Sequence, residues 1–152
     1  MARVAILLGS SSDQPAMQGC LDYLERFGID HELRVISAHR QPEELAAYVK
    51  QADANGFSII IAAAGMAAHL PGVAAAYTTL PVIGVPLEGS PLHGVDALYA
   101  IVQMPSGIPV ATLAIGSAGA KNAAVLAAEI LSLHDPGLKE RLLSFRRNGA
   151  KF

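Results

Sequence analysis

The sequence predicts an α/β protein with a flavodoxin-like three-layer sandwich. Helices are expected on both faces of a five-stranded parallel sheet, with an extra C-terminal helix. Strand-like and helix-like patterns alternate along the chain, which is typical of successive βα units. Strand-like runs such as Val4–Leu8 are continuously apolar, as expected for strands buried on both faces. The 152 residues fit one domain with a sizeable core.

The first predicted strand, Val4–Leu8, ends in a loop of glycine and serine, and a helix follows it. Asp13 is the expected N-cap of this helix, Pro15 lies near its first turn, and Gly28 ends it. The residues expected on its buried face are Met17, Cys20, Leu21, Leu24 and Phe27. Their spacing of three or four residues places them along one side of the helix.

The middle of the chain predicts three further strands, at Leu33–Ile36, Phe57–Ala63 and Val82–Val85. A helix that begins at Pro42 separates the first two, and a short helix near His69–Tyr77 separates the other two. The inward residues of the first of these helices are Leu45, Val49 and Ala52, and Gly56 ends it. The alternation therefore continues without an interdomain linker or an internal repeat.

The last βα unit consists of a predicted strand over Val110–Ile115 and an alanine-rich helix over Lys121–Leu133, preceded by a short helix over Asp96–Val102. Residues 1–134 are therefore expected to form the flavodoxin-like domain. Residues 135–152 are expected to form a separate C-terminal helix and tail. The apolar side of this helix is predicted to carry Leu138, Leu142, Leu143 and Phe145. It can pack on its own domain or on a neighbouring subunit.

The composition excludes several classes of function. Hydrophobic residues make up 52% of the chain and charged residues only 16%, which suggests a surface partly covered by other subunits. The net charge of −2 gives no electrostatic basis for binding nucleic acid or an anionic membrane. The apolar run around Ile59–Ala68 is too short to span a bilayer. With one cysteine and no signal-peptide pattern at the N-terminus, we expect a cytoplasmic protein.

Three loops follow predicted strands, and parallel strands bring such loops together at one edge of a sheet. The first loop, Gly9–Asp13, precedes a helix N-terminus, where backbone N–H groups attract anions. Ser10, Ser11 and Ser12 add hydroxyl groups that suit phosphate, and Asp13 can accept hydrogen bonds from ribose hydroxyls. An ordinary serine-rich turn with an aspartate cap is the alternative. The loop matches neither the Walker A pattern of ATP-binding loops nor the Gly-x-Gly-x-x-Gly pattern of dinucleotide-binding loops. ATP and NAD are therefore disfavoured as ligands.

The second loop contains Ser37-Ala38-His39-Arg40. An imidazole can both give and take a proton near neutral pH, which makes His39 the candidate general acid and base. Arg40 beside it is shaped for bidentate contacts with phosphate or carboxylate. The alternative is that His39 and Arg40 are solvent-exposed loop residues without a catalytic or binding role.

The third loop, Ala62–Gly72, has almost no polar side chain except His69. Its alanines and glycines allow close approach of the backbone to a ligand and leave a small apolar pocket. His69 can orient a ligand group or only satisfy a local backbone atom. His93 and Asp96 form a close histidine–carboxylate pair, but two such residues are too few to indicate a metal site.

Four motifs in this order resemble the N5-carboxyaminoimidazole ribonucleotide mutase family, also called the catalytic subunit family of phosphoribosylaminoimidazole carboxylase. The motifs lie at Gly9–Asp13, Ser37–Arg40, Ala64–Gly72 and Asp96–Val110. The resemblance extends from about residue 4 to residue 134. It implies that a carboxylate moves from the exocyclic nitrogen N5 to carbon 4 of an imidazole ribonucleotide, without a metal or cofactor.

The same resemblance assigns roles to individual residues. His39 would be the general acid and base, and Asp13 would hold the ribose hydroxyls. The 5′-phosphate ligands would be Ser10, Ser12, Ser37 and Arg40. The base and carboxylate pocket would be lined by Gly65, Ala67, His69 and Leu70. The resemblance also implies a homo-octamer whose C-terminal helix lies over a neighbour. A separate ATP-dependent synthetase would supply the substrate.

Two alternatives remain at this point. The first is the direct carboxylase branch of the same family, which uses carbon dioxide and aminoimidazole ribonucleotide. By resemblance that branch has lysine at the position of Arg40 and a more polar loop at residues 67–69, whereas this chain has the mutase pattern at both places. The second alternative is a non-catalytic nucleotide-binding module, which would not need a titratable group at His39.

Overall fold

A five-stranded parallel sheet with strand order β2-β1-β3-β4-β5 forms the centre of the molecule, which we describe from a computed structural model covering residues 3–152. The strands are β1 (Arg3–Leu8), β2 (Asp30–Val35), β3 (Phe57–Gly65), β4 (Val82–Leu87) and β5 (Ala111–Thr112). The helices are α1 (Gln14–Arg26), α2 (Pro42–Gln51), α3 (Leu70–Ala76), α4 (Val95–Val102), α5 (Ser117–Leu131) and α6 (Pro136–Arg147). This order and the two helical layers confirm the predicted flavodoxin-like α/β fold.

The sheet separates two hydrophobic cores because successive side chains of a strand point to opposite faces. On one face Val4, Ile6 and Leu8 pack with the buried residues of α1, α5 and α6. On the other face Ala5 and Leu7 pack with α2, α3 and α4. Burial on both faces explains why β1 is apolar from Val4 onward and β3 from Ile59 onward.

Both edge strands differ in length from the sequence prediction. β2 begins at Asp30 instead of Leu33, because its polar first half pairs with β1 from Arg3 onward and an Arg3–Asp30 ion pair lies beside it. β5 pairs with β4 only at Ala111 and Thr112, so the strand predicted over Val110–Ile115 is far shorter. Edge strands have one neighbour, and their extent therefore depends on tertiary contacts that the apolar pattern does not encode.

Two helices also differ from the prediction. α5 begins at Ser117, four residues before Lys121, because Gly116 adopts a positive φ of 75° and the small residues after it continue the helix. In α6, Leu143 is 40% exposed instead of lying on the apolar side. Leu138, Leu142 and Phe145 form its buried face, and Leu143 points about 100° away from Leu142.

The C-terminal helix packs on its own chain. The Phe145 ring contacts Tyr23 and Phe27 of the α1 segment edge to face, with centroids 5.8 and 5.2 Å apart. Asp135 caps the helix by accepting a hydrogen bond from the backbone N–H of Leu138 at 2.9 Å. The inner face of α6 therefore completes the core of its own subunit. Its expected contact with a neighbouring subunit stays a prediction and concerns the outer face.

Cys20 is fully buried in the α1–α5 core. Burial raises the pKa of its thiol to about 12, so the thiol acts as a small apolar group.

Among residues 3–152, no helix combines the length and the apolar character that a membrane crossing requires.

Candidate active site

An open cleft of about 500 Å³ lies at the carboxyl ends of β1, β2, β3 and β4. Its lining contains the ten residues predicted from the sequence, which are Ser10, Ser12, Asp13, Ser37, His39, Arg40, Gly65, Ala67, His69 and Leu70. The sheet order places the loop after β2 at one end, followed by the loops after β1, β3 and β4. The cleft therefore joins four loops that lie far apart in sequence.

The loop after β1 is held by its own serines. Ser10 has an extended backbone, and its hydroxyl oxygen accepts a hydrogen bond from the Ser12 backbone N–H at 3.3 Å. The two hydroxyl groups of Ser10 and Ser12 lie 2.8 Å apart. This arrangement starts a short 3₁₀ turn over Ser11–Asp13 that leads into α1. The hydroxyls and the helix N-terminus thus lie at the same end of the cleft.

Asp13 occupies the predicted N-cap position of α1 but makes no side-chain capping bond. Its backbone is already helical at this position, whereas a capping side chain needs an extended backbone to reach the free N–H groups. The predicted N-cap position of Asp13 is therefore confirmed, but without a side-chain capping bond. The carboxylate stays available to the cleft, where burial raises its pKa and its hydrogen bond with the Ser10 backbone lowers the pKa by less.

We expect Asp13→Asn to raise the thermal unfolding midpoint slightly at pH 7. A carboxyl whose pKa is raised by folding binds its proton more tightly in the folded protein. Its stabilising contribution is therefore present below the unfolded pKa and is lost as the pH rises through the folded pKa. The advantage of asparagine should shrink as the pH is lowered toward the unfolded value of 3.8, followed by thermal scans across pH.

Asp22→Asn is the matched control, because Asp22 is exposed on the same helix and its loss removes the same formal charge. If both variants shift the midpoint equally at every pH, the burial of Asp13 has no measurable cost.

The loop after β2 presents His39 and Arg40. The Ser37 hydroxyl accepts a hydrogen bond from the Arg40 backbone N–H at 3.2 Å, and the Ser37 carbonyl accepts one from the Gln41 N–H at 2.8 Å. These bonds fix the turn just before Pro42 begins α2. Within residues 3–152, the ion pairs involve Arg3, Arg34 and Arg146, so the guanidinium of Arg40 is free for a ligand.

His39 and His69 meet across the cleft. Nε2 of His39 lies 2.8 Å from Nδ1 of His69, and the two rings are nearly perpendicular. A hydrogen bond between two ring nitrogens needs a proton on one of them and a lone pair on the other. In a neutral pair, the position of that proton decides whether the second nitrogen of His39 is a donor or an acceptor. The structure thus gives His69 a specific partner, which the sequence left open.

The loop after β3 forms the apolar wall of the cleft. A Cβ atom on Gly65 would lie 3.2 Å from the Leu87 carbonyl oxygen, so this position favours glycine. Met66 has a positive φ of 55°, which bulky side chains rarely adopt. The N–H of Ala68 donates to the Met66 carbonyl at 2.9 Å, and α3 begins at Leu70. The chain therefore turns sharply between the strand and the helix.

Two lining residues lie outside the three loops predicted from the sequence. Glu88 and Gly89 follow β4, whose carboxyl end lies next to that of β3. The rule that found the other loops also applies here, but the glycine- and proline-rich composition of this segment indicated only a connection. Within the described part of the chain, no cluster of three or more histidine, cysteine, aspartate or glutamate side chains is arranged to hold a metal ion.

The fold and the cleft together define a flavodoxin-like α/β protein with a paired-histidine site at the switch point of its sheet. The model of the AIR carboxylase family matches residues 3–151. The chain therefore belongs to the AIR carboxylase family.

Relatives and solved structures agree with this assignment. The N5-carboxyaminoimidazole ribonucleotide mutase of Escherichia coli strain K12 is 54% identical over 146 residues, which are 96% of this chain and 86% of that protein. The enzyme of the same name from Pyrococcus abyssi is 54% identical over 148 residues, which are 97% of this chain and 84% of that protein. The crystal structure of Treponema denticola PurE superposes with a TM-score of 0.89 at 32% identity, covering 99% of this chain and 92% of that one.

Proposed function

We propose that this protein is a mutase of purine biosynthesis that converts N5-carboxyaminoimidazole ribonucleotide into 4-carboxy-5-aminoimidazole ribonucleotide. The hydrogen-bonded pair of His39 and His69 carries the proposal, because it places a proton donor and acceptor in a cleft flanked by a guanidinium and an apolar wall. Identity of 54% to proteins named for this reaction supports the assignment.

The order of the loops along the sheet suggests how the ribonucleotide lies. The 5′-phosphate would be held by Ser10, Ser12, Ser37 and Arg40, at the end of the cleft formed by the β1 and β2 loops. Asp13 would accept hydrogen bonds from the ribose hydroxyls. The imidazole and its carboxylate would then lie against Gly65, Ala67, His69 and Leu70 of the β3 loop. In this pose the reacting atoms lie near His39.

The carboxylate transfer then needs one group that gives and regains a proton. The bond between N5 and the carboxylate carbon breaks, its electron pair stays on nitrogen, and His39 protonates that nitrogen. Carbon 4 of the ring attacks the released carbon dioxide, and His39 takes the proton from carbon 4. No atom or electron enters or leaves, so the proposal includes no cofactor. Retention of carbon dioxide beside the ring makes recapture effectively unimolecular.

His69 has a positioning role in this scheme. When His39 donates its Nε2 proton to His69, Nδ1 of His39 can accept a proton. When His69 donates instead, Nδ1 of His39 carries hydrogen and can give it. The pair can therefore present a base or an acid to substrate without a change in its net charge.

We further propose a cytoplasmic homo-octamer in which residues 135–152 contact a neighbouring subunit and a separate ATP-dependent synthetase supplies the substrate. The exposed side of α4 supports assembly, because Val95, Tyr99 and Val102 repeat at helical spacing and are 43, 68 and 44% exposed. We expect light scattering behind size exclusion to give about eight times the 15.8 kDa chain mass. A monomer of native activity would contradict this assembly.

The assay that tests the function follows the absorbance of N5-carboxyaminoimidazole ribonucleotide without ATP or added bicarbonate. Conversion to the carbon-4 isomer is expected. Direct carboxylation is the second candidate, favoured by the family description AIR carboxylase. Activity only on aminoimidazole ribonucleotide with bicarbonate would establish that candidate. If the folded oligomer is inactive in both assays, the remaining interpretation is a non-catalytic nucleotide-binding module.

A further inference from the structure

Met66 has a backbone conformation that is unfavourable for a residue with a side chain. Its φ of 55° lies in the left-handed region, where a non-glycine residue is held under strain. The side chain is 59% exposed and belongs to neither hydrophobic core. It therefore contributes little to folding, although the turn that contains it is fixed by the Ala68 N–H bond to its carbonyl.

The place of Met66 indicates what the side chain contributes. It lines the cleft beside Gly65 and Ala67, in the same wall as His69. Glycine at this position would relieve the backbone strain but would remove an apolar side chain from the wall of the cleft. Strained backbone conformations cluster at functional sites, and neither hydrophobic core requires a side chain at Met66. A flexible thioether chain can follow the shape of a bound ligand without offering a competing hydrogen bond or charge.

We propose that the Met66 side chain covers the carboxyl-transfer pocket and retains carbon dioxide between its release from N5 and its capture by carbon 4. This inference rests on the proposed mutase function. Between the two bond changes, carbon dioxide is held by no covalent bond. A wall that excludes water therefore decides whether it is recaptured or exchanges with solvent.

The test compares wild type, Met66→Gly and Met66→Leu in buffer that contains carbon-13-labelled bicarbonate and carbonic anhydrase. Unlabelled N5-carboxyaminoimidazole ribonucleotide is converted, and the labelled fraction of the carbon-4 product is measured by mass spectrometry. A reaction without enzyme, in which the label in the remaining substrate is measured, gives the background from spontaneous loss and re-addition of carbon dioxide at N5. Leucine keeps a large apolar side chain on the same strained backbone, whereas glycine removes the side chain and relieves the strain.

We expect a several-fold larger labelled fraction with Met66→Gly than with wild type, and a wild-type fraction with Met66→Leu. The thermal midpoint of Met66→Gly should not fall. Equal labelling in wild type and Met66→Gly overturns the covering role. A change of oligomer mass in Met66→Gly also overturns it, because Met66 would then be a subunit contact. Absence of turnover in wild type instead rejects the proposed function itself.

Discussion

Replacement of His39 by asparagine should remove most of the mutase turnover while substrate binding survives. Asparagine keeps a polar side chain of smaller size, but it cannot exchange a proton near neutral pH. General acid–base groups contribute roughly 10²- to 10⁴-fold to rates, and we expect a loss of kcat in that range. The absorbance assay measures the rate, and titration calorimetry with aminoimidazole ribonucleotide measures binding.

Arg40→Ala is the matched comparison on the adjacent residue. It removes the free guanidinium proposed for the phosphate and should raise KM more than it lowers kcat. The two variants therefore separate proton transfer from binding within one loop. Turnover of His39→Asn within a few-fold of wild type would contradict the acid–base assignment. An equal loss of binding in both variants would indicate that His39 mainly shapes the loop.

The layers and the strand order of the fold could be predicted because they depend on patterns that the sequence carries locally. Continuous apolar runs indicate central strands such as β3, and Pro42 and Gly28 mark the ends of helices. The edge strands could not be placed as well. The length of β5 follows from pairing with only two residues of β4, which is a tertiary property.

The members of the candidate site could be predicted because the carboxyl ends of parallel strands converge whatever the loops contain. The contacts within the site could not. His39 and His69 are 30 residues apart, and their 2.8 Å hydrogen bond depends on how two turns are folded. Glu88 was missed because its loop has no motif of its own, although the sheet order brings it beside the β3 loop.

The largest effect on stability is expected from Gly119→Ala in the first turn of α5. A Cβ atom there would lie 1.7 Å from the Ala114 carbonyl oxygen and 2.7 Å from its carbon, so the backbone must move. Gly119 is buried, and the preceding turn is held by the Gly116 N–H bond to the Pro86 carbonyl. We expect a cost of about 3 kcal/mol or more, which lowers the thermal midpoint by roughly 6–12 °C.

Gly19→Ala provides the matched control for this loss. The same substitution in α1 brings the new Cβ to 2.9 Å from Cγ of Lys121, which is a flexible side chain that can swing away. Alanine is also favoured over glycine inside a helix by up to about 1 kcal/mol. We therefore expect Gly19→Ala to stay within about 1 kcal/mol of wild type. The thermal midpoints of the two variants are compared at one protein concentration. Equal midpoints would contradict the prediction, because the β5–α5 turn would then accommodate the new Cβ atom at no greater cost than a lysine side chain.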